Sequence, residues 1–61
     1  MTKYYMTKGN EAFEFEFNGN SIISIRQVEP ITRLGDLNGY EEWDENKKMK
    51  ARRAFDAMFG L

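Results

Sequence analysis

The chain has 61 residues, nine basic and ten acidic, a net charge of -1, no cysteine and no histidine. A chain this short forms one domain and buries only about 60% of the surface its unfolded form exposes. Disulfides are excluded, a structural zinc is left without its usual ligands, and the balanced charge departs from the strongly basic composition of a protein that coats nucleic acid.

Residues 2–8 contain Tyr4, Tyr5, Met6 and Thr7 and predict a first strand. Gly9-Asn10 follows as a two-residue hairpin loop, with glycine first as a type II′ turn requires. Residues 11–17 then alternate, Phe13, Phe15 and Phe17 against Ala12, Glu14 and Glu16, which is the pattern of a half-buried strand. Pairing across Gly9-Asn10 sets Met6 opposite Phe13, Tyr4 opposite Phe15, Tyr5 opposite Glu14, Lys3 opposite Glu16 and Lys8 opposite Glu11. Opposed residues share a face. Tyr4 and Met6 therefore join the phenylalanines, and Lys3 meets Glu16 on the other side.

A third strand is expected over residues 21–28, after the turn Asn18-Gly19-Asn20. A two-residue Asn-Gly loop would set Ile23 against Glu14. A three-residue loop sets Phe15 against Ile23 and Phe13 against Ile25, with Asn20 in the left-handed position, and is the expected one. Pro30 ends the strand because it has no N–H to donate. Residues 29–40 form a connection in which Ile31, Leu34 and Leu37, spaced by three, are expected to pin the loop to the core.

A helix is expected from about 41 to 59. Asn38 with Glu41 resembles a capping box; Glu41, Glu42, Asp44 and Glu45 suit the positive end of the helix dipole; Gly60 suits its C-terminus. Tyr40, Trp43, Ala51, Ala54, Phe55 and Met58 fall on one broad face, and Met49 points away. Lys47 lies within that face, its stem passing Trp43 to reach water. The fold class follows: α+β, a three-stranded antiparallel β-meander packed by one C-terminal α-helix, in one domain over residues 1–61.

No catalytic apparatus is legible. A nucleophile needs a neighbouring base, usually histidine, and there is none. Glu14 with Glu16, and the acidic run before the helix, read as solvated charge, the latter without a calcium-loop pattern. Gly35 and Gly39 lack the lysine and hydroxyl of a phosphate-binding loop. The expectation is no enzyme, no metal and no small-molecule cofactor. No apolar run reaches the roughly 18 residues of a membrane span, and Met-Thr-Lys-Tyr-Tyr-Met lacks a secretory apolar stretch, so a cytoplasmic location is expected.

Two surfaces stand out. Lys47, Lys48, Lys50, Arg52 and Arg53 fall within seven residues, a candidate site for nucleic acid or an acidic partner. Asp44 with Lys48 and Arg52 with Asp56 are i,i+4 pairs that would partly neutralise them. The outer sheet face is expected to carry Tyr5, Ile22, Arg26 and Val28, a candidate protein-binding surface. Strand order here is similar to the sheet-plus-helix DNA-binding domains of plant transcription factors and some integrases, which read DNA through arginines and aromatics on the sheet. In this chain Arg26 is the only strand arginine, and Glu14 and Glu16 would face the phosphates. The short, cysteine-free format is common among bacteriophage and mobile-element proteins. The sequence thus points to a small protein-binding or regulatory module, for which self-association would add stability; nucleic-acid binding through residues 47–53 is the alternative.

Overall fold

A computed structural model describes residues 1–60. Strands β1 (Thr2–Lys8), β2 (Glu11–Asn18) and β3 (Ser21–Val28) form an antiparallel sheet in the order β1-β2-β3, and one helix, α1 (Glu45–Phe59), follows. The expected α+β meander with a C-terminal helix is therefore the fold. The β1–β2 register is also the expected one, from Lys8 opposite Glu11 to Thr2 opposite Phe17. Gly9 makes this turn with φ of 62°, a left-handed value that costs a non-glycine residue free energy.

The second hairpin differs from expectation. Its loop is the two residues Gly19-Asn20, closed by Asn18 opposite Ser21, and glycine rather than Asn20 takes the left-handed position. A regular ladder from that turn would set Phe15 against Ser24 and Glu14 against Ile25. A bulge between Glu16 and Phe17 on β2 and Ile22 and Ser24 on β3 prevents this. Ile23 is the extra residue and is 48% exposed. Beyond the bulge Phe15 faces Ile25 and Glu14 faces Arg26. One unpaired residue thus returns every later side chain to the face its chemistry demands. The expected inward Ile23 is corrected to Ile22, which packs against the core with Ile25.

The core is a single aromatic layer. Tyr4, Phe13, Phe15, Phe17, Ala51 and Phe55 are buried together. Each large side chain taken from water stabilises the fold by about 1.5–3 kcal/mol. Trp43 closes one end, stacked on Tyr4 at 4.6 Å and edge-on to Phe15 at 5.5 Å. Phe55 and Phe59 close the other, with ring centres 4.7 and 5.5 Å from Phe13.

Helix α1 begins later than expected. Asp44 is its N-cap, accepting a hydrogen bond from the Lys47 N–H at 2.8 Å, and only Glu45 of the acidic run lies in its first turn. The Asn38 capping box does not form; Asn38 instead closes a short 3₁₀ turn, Leu34–Leu37. Two bonds hold the residues between against the β1 edge. The Glu41 N–H donates to the Lys3 carbonyl at 2.8 Å, and the Trp43 indole N–H donates to the Tyr5 carbonyl at 2.9 Å. Tyr40 and Trp43 therefore lie outside the helix. Ala51 and Phe55 hold its buried stripe, while Met58 is 62% exposed.

Candidate binding groove between β1 and the helix

The connection from Glu29 to Asp44 passes over the outer sheet face, then around the β1 edge. It covers the face expected to be solvated. Ala12 is fully buried and Glu14 is 6% exposed. Glu14 accepts hydrogen bonds from the Tyr40 hydroxyl at 2.8 Å and from Arg26 Nε at 2.9 Å, and pairs with the Arg26 guanidinium. Burial pushes the Glu14 carboxyl up, but the bonds from Tyr40 and Arg26 outweigh it and hold the group below its ordinary value. Burial and the same bond raise the Tyr40 phenol.

The surface formed by Tyr5, Ile22, Arg26 and Val28 is consequently not a free patch. The Tyr5 hydroxyl accepts the Ile31 N–H at 2.8 Å, and its ring lies 5.6 Å from that of Tyr40. Ile22 is on the core side, Arg26 is engaged by Glu14, and Val28 is half-buried opposite Ala12. Polar contacts anchor the loop, and of the three residues expected to pin it Ile31 and Leu37 are half-buried whereas Leu34 is 87% exposed, which corrects its expected place in the core.

A groove of about 600 Å³ runs between the second half of β1 and α1. That size falls within the range of ligand-binding clefts. Met6, Trp43 and Phe55 line it with apolar side chains, and Lys8, Lys48 and Arg52 contribute positive charge against one carboxylate, Asp56. Lys8 Nζ lies 5.0 Å from the centre of the Phe55 ring, a cation–π contact. Among the described residues the ion pairs are Glu14–Arg26 and Asp44–Lys47. The expected pairs Asp44–Lys48 and Arg52–Asp56 do not form. Both Asp44 carboxylate oxygens are taken by Lys47, through its backbone N–H and its Nζ, which leaves the neighbouring Lys48 without the pair.

The basic run does not act as one stripe. Lys48 and Arg52 line the groove beside β1. Lys50 bonds the Asn20 carbonyl in the β2–β3 turn on the opposite flank. Arg53 is exposed between the two flanks, and Lys47 is half-buried and paired with Asp44. Sequence reasoning did not single out Lys8 or Trp43 as site residues. The signal for Lys8 was its place beside the first hairpin turn; for Trp43 there was none apart from the apolar pattern.

The described residues include no cluster of three or more potential metal ligands and no helix long and apolar enough to cross a membrane. No family model matches the chain, and no curated protein or solved structure matches it significantly.

Proposed function

We propose that this chain is a non-enzymatic protein-binding module that docks an acidic segment of a partner protein in the groove between β1 and α1. The observation that carries the reading is a set of three cations, Lys8, Lys48 and Arg52, without an ion-pair partner among the described residues, set around aromatic surface. Carboxylates of an extended peptide meet those cations, and an apolar residue of the peptide meets Phe55 and Trp43. The β1 edge adds backbone recognition. Lys3 and Tyr5 have their outward carbonyls occupied by Glu41 and Trp43, and Thr7, next in the alternation, borders the groove.

Panning a randomised peptide library on the immobilised protein tests this. The recovered sequences are expected to be rich in Asp and Glu, and to be released by salt and by Lys48→Glu with Arg52→Glu. Recovery of sequences without acidic bias, or binding indifferent to both reversals, would overturn the reading. Nucleic acid is the alternative, resting on the five cations of residues 47–53. Their dispersal around the helix favours the peptide. A salt-sensitive mobility shift with single- or double-stranded oligonucleotides, stronger than any peptide response, would favour the alternative.

A further inference from the structure

The two sheet edges are finished differently. In an antiparallel ladder alternate residues turn their N–H and C=O groups to the same side. The closing pair Lys8–Glu11 makes Tyr4 and Met6 the residues bonded to β2, and leaves Lys3, Tyr5 and Thr7 facing outward. Two of those three are occupied by the chain's own connection. On β3 the same alternation bonds Ser24, Arg26 and Val28 to β2 and turns the backbone of Ile25 and Gln27 outward. Among the described residues no backbone group from elsewhere in the chain reaches them.

Proteins protect open edges with lysine, proline or a bulge. β3 has one charged residue, Arg26, and Glu14 engages it. Pro30 lies beyond the strand, and the bulge sits at the Ile22–Ile23 end, leaving Ser24–Val28 regular. We infer that β3 is the seat of a homodimer, pairing antiparallel with β3 of a second copy about a two-fold axis through Ile25.

That register is self-complementary. Ile25 meets its own counterpart, Gln27 meets Ile23 of the second copy, and Ser24 meets Arg26 of the second copy. Like charges are nowhere opposed, and each residue stays on its own face. Ile23, an exposed apolar side chain, lies on this edge. Joining the sheets places the two helices on one side, three strand spacings or about 14 Å apart. Packed helices lie about 8–10 Å apart. The two helices therefore need not clash when the sheets join. The proposed groove lies along the opposite edge, so a dimer presents two grooves, and a partner with two acidic segments gains avidity from both.

Sedimentation equilibrium of the full chain tests the inference. The wild-type mass is expected to double with rising concentration. Ile23→Lys, at an exposed position, and Gln27→Pro, which removes an N–H that β2 does not use, are each expected to weaken the dimer at least about tenfold. Far-ultraviolet circular dichroism is expected to be unchanged for Ile23→Lys, which alone decides the matter should Gln27→Pro not fold. Thr7→Lys, on the other edge, is expected to leave the dimer intact. A wild-type monomer at about 1 mM, a dimer that survives Ile23→Lys, or one abolished by Thr7→Lys instead, would overturn it. None of these measurements depends on the groove or its peptide.

Discussion

Replacing Tyr40 with phenylalanine removes one hydroxyl and keeps the ring that sits 5.6 Å from Tyr5. What is lost is the 2.8 Å hydrogen bond to Glu14, a carboxylate that is 6% exposed. A hydrogen bond to a charged group contributes about 1.5–3 kcal/mol, and a domain of this length has a total stability of about 3–9 kcal/mol. Tyr40→Phe is therefore expected to remove about a third of the stability, which lowers Tm by about 12–24 °C in so small a domain. The pH dependence is a second readout. Glu14 has a folded pKa below its unfolded value of 4.5, so it binds its proton less readily when folded. Its stabilising effect is complete well above 4.5 and is lost as pH falls through the folded pKa. Without the Tyr40 hydroxyl the folded pKa rises, because burial is unchanged and one opposing bond is gone. Acid unfolding of the variant should begin at higher pH. Denaturant melts followed by Trp43 fluorescence across pH 2–7 measure both effects. A variant within about 0.5 kcal/mol of wild type, with the same acid midpoint, would refute the idea that this buried carboxylate ties the connection to the sheet.

At the alkaline end the raised Tyr40 pKa works in the opposite sense: its contribution holds below 10.0 and disappears as pH rises through the folded value, so Tyr40→Phe should flatten the alkaline limb of the same profile. Trp43→Ala removes a ring in contact with Tyr4, Phe15 and Phe17 together with the bond to Tyr5, and is expected to cost about 3–5 kcal/mol, enough to leave circular dichroism partly unfolded at room temperature. Gly19→Ala meets no atom within 4 Å, so its expected cost of about 1–2 kcal/mol is backbone strain alone, read as a shift in the urea midpoint at constant slope. Deleting Ile23 leaves Phe17 opposite Ile22 and Glu16 opposite Ser24, a regular ladder, and should cost less than deleting Phe15, which reverses the rest of β2; chemical denaturation of the two deletions ranks them.

The fold was legible because two independent patterns agreed on it. Phe13, Phe15 and Phe17 fixed the inward face of β2, and the Gly9-Asn10 turn fixed its partner's register through apolar and charged pairs alike. The second hairpin was not, although it repeats the Gly-Asn turn of the first. The expected loop was chosen to oppose phenylalanine to isoleucine, and alternation cannot reveal that a bulge achieves the same end with Ile22 and Ile25. The start of α1 was misplaced because helical periodicity counted Tyr40 and Trp43, whose positions are set by hydrogen bonds to the β1 edge. The same long-range contacts hid the burial of Glu14. A glutamate in an alternating strand reads as solvent-facing, and its partners Tyr40 and Arg26 lie 26 and 12 residues away. The basic residues were visible in the sequence, but their division between two flanks of α1 depended on where the helix lay.

Tyr40 grips one side of the sheet, Glu41 its rim and Trp43 the aromatic layer on the reverse, all within four consecutive residues. That stretch works as a lever across the sheet's thickness. Any effect of acid at Glu14 on what the groove holds would have to be matched by an equal effect of the ligand on the Glu14 proton, and the segment through which it would pass is these four residues.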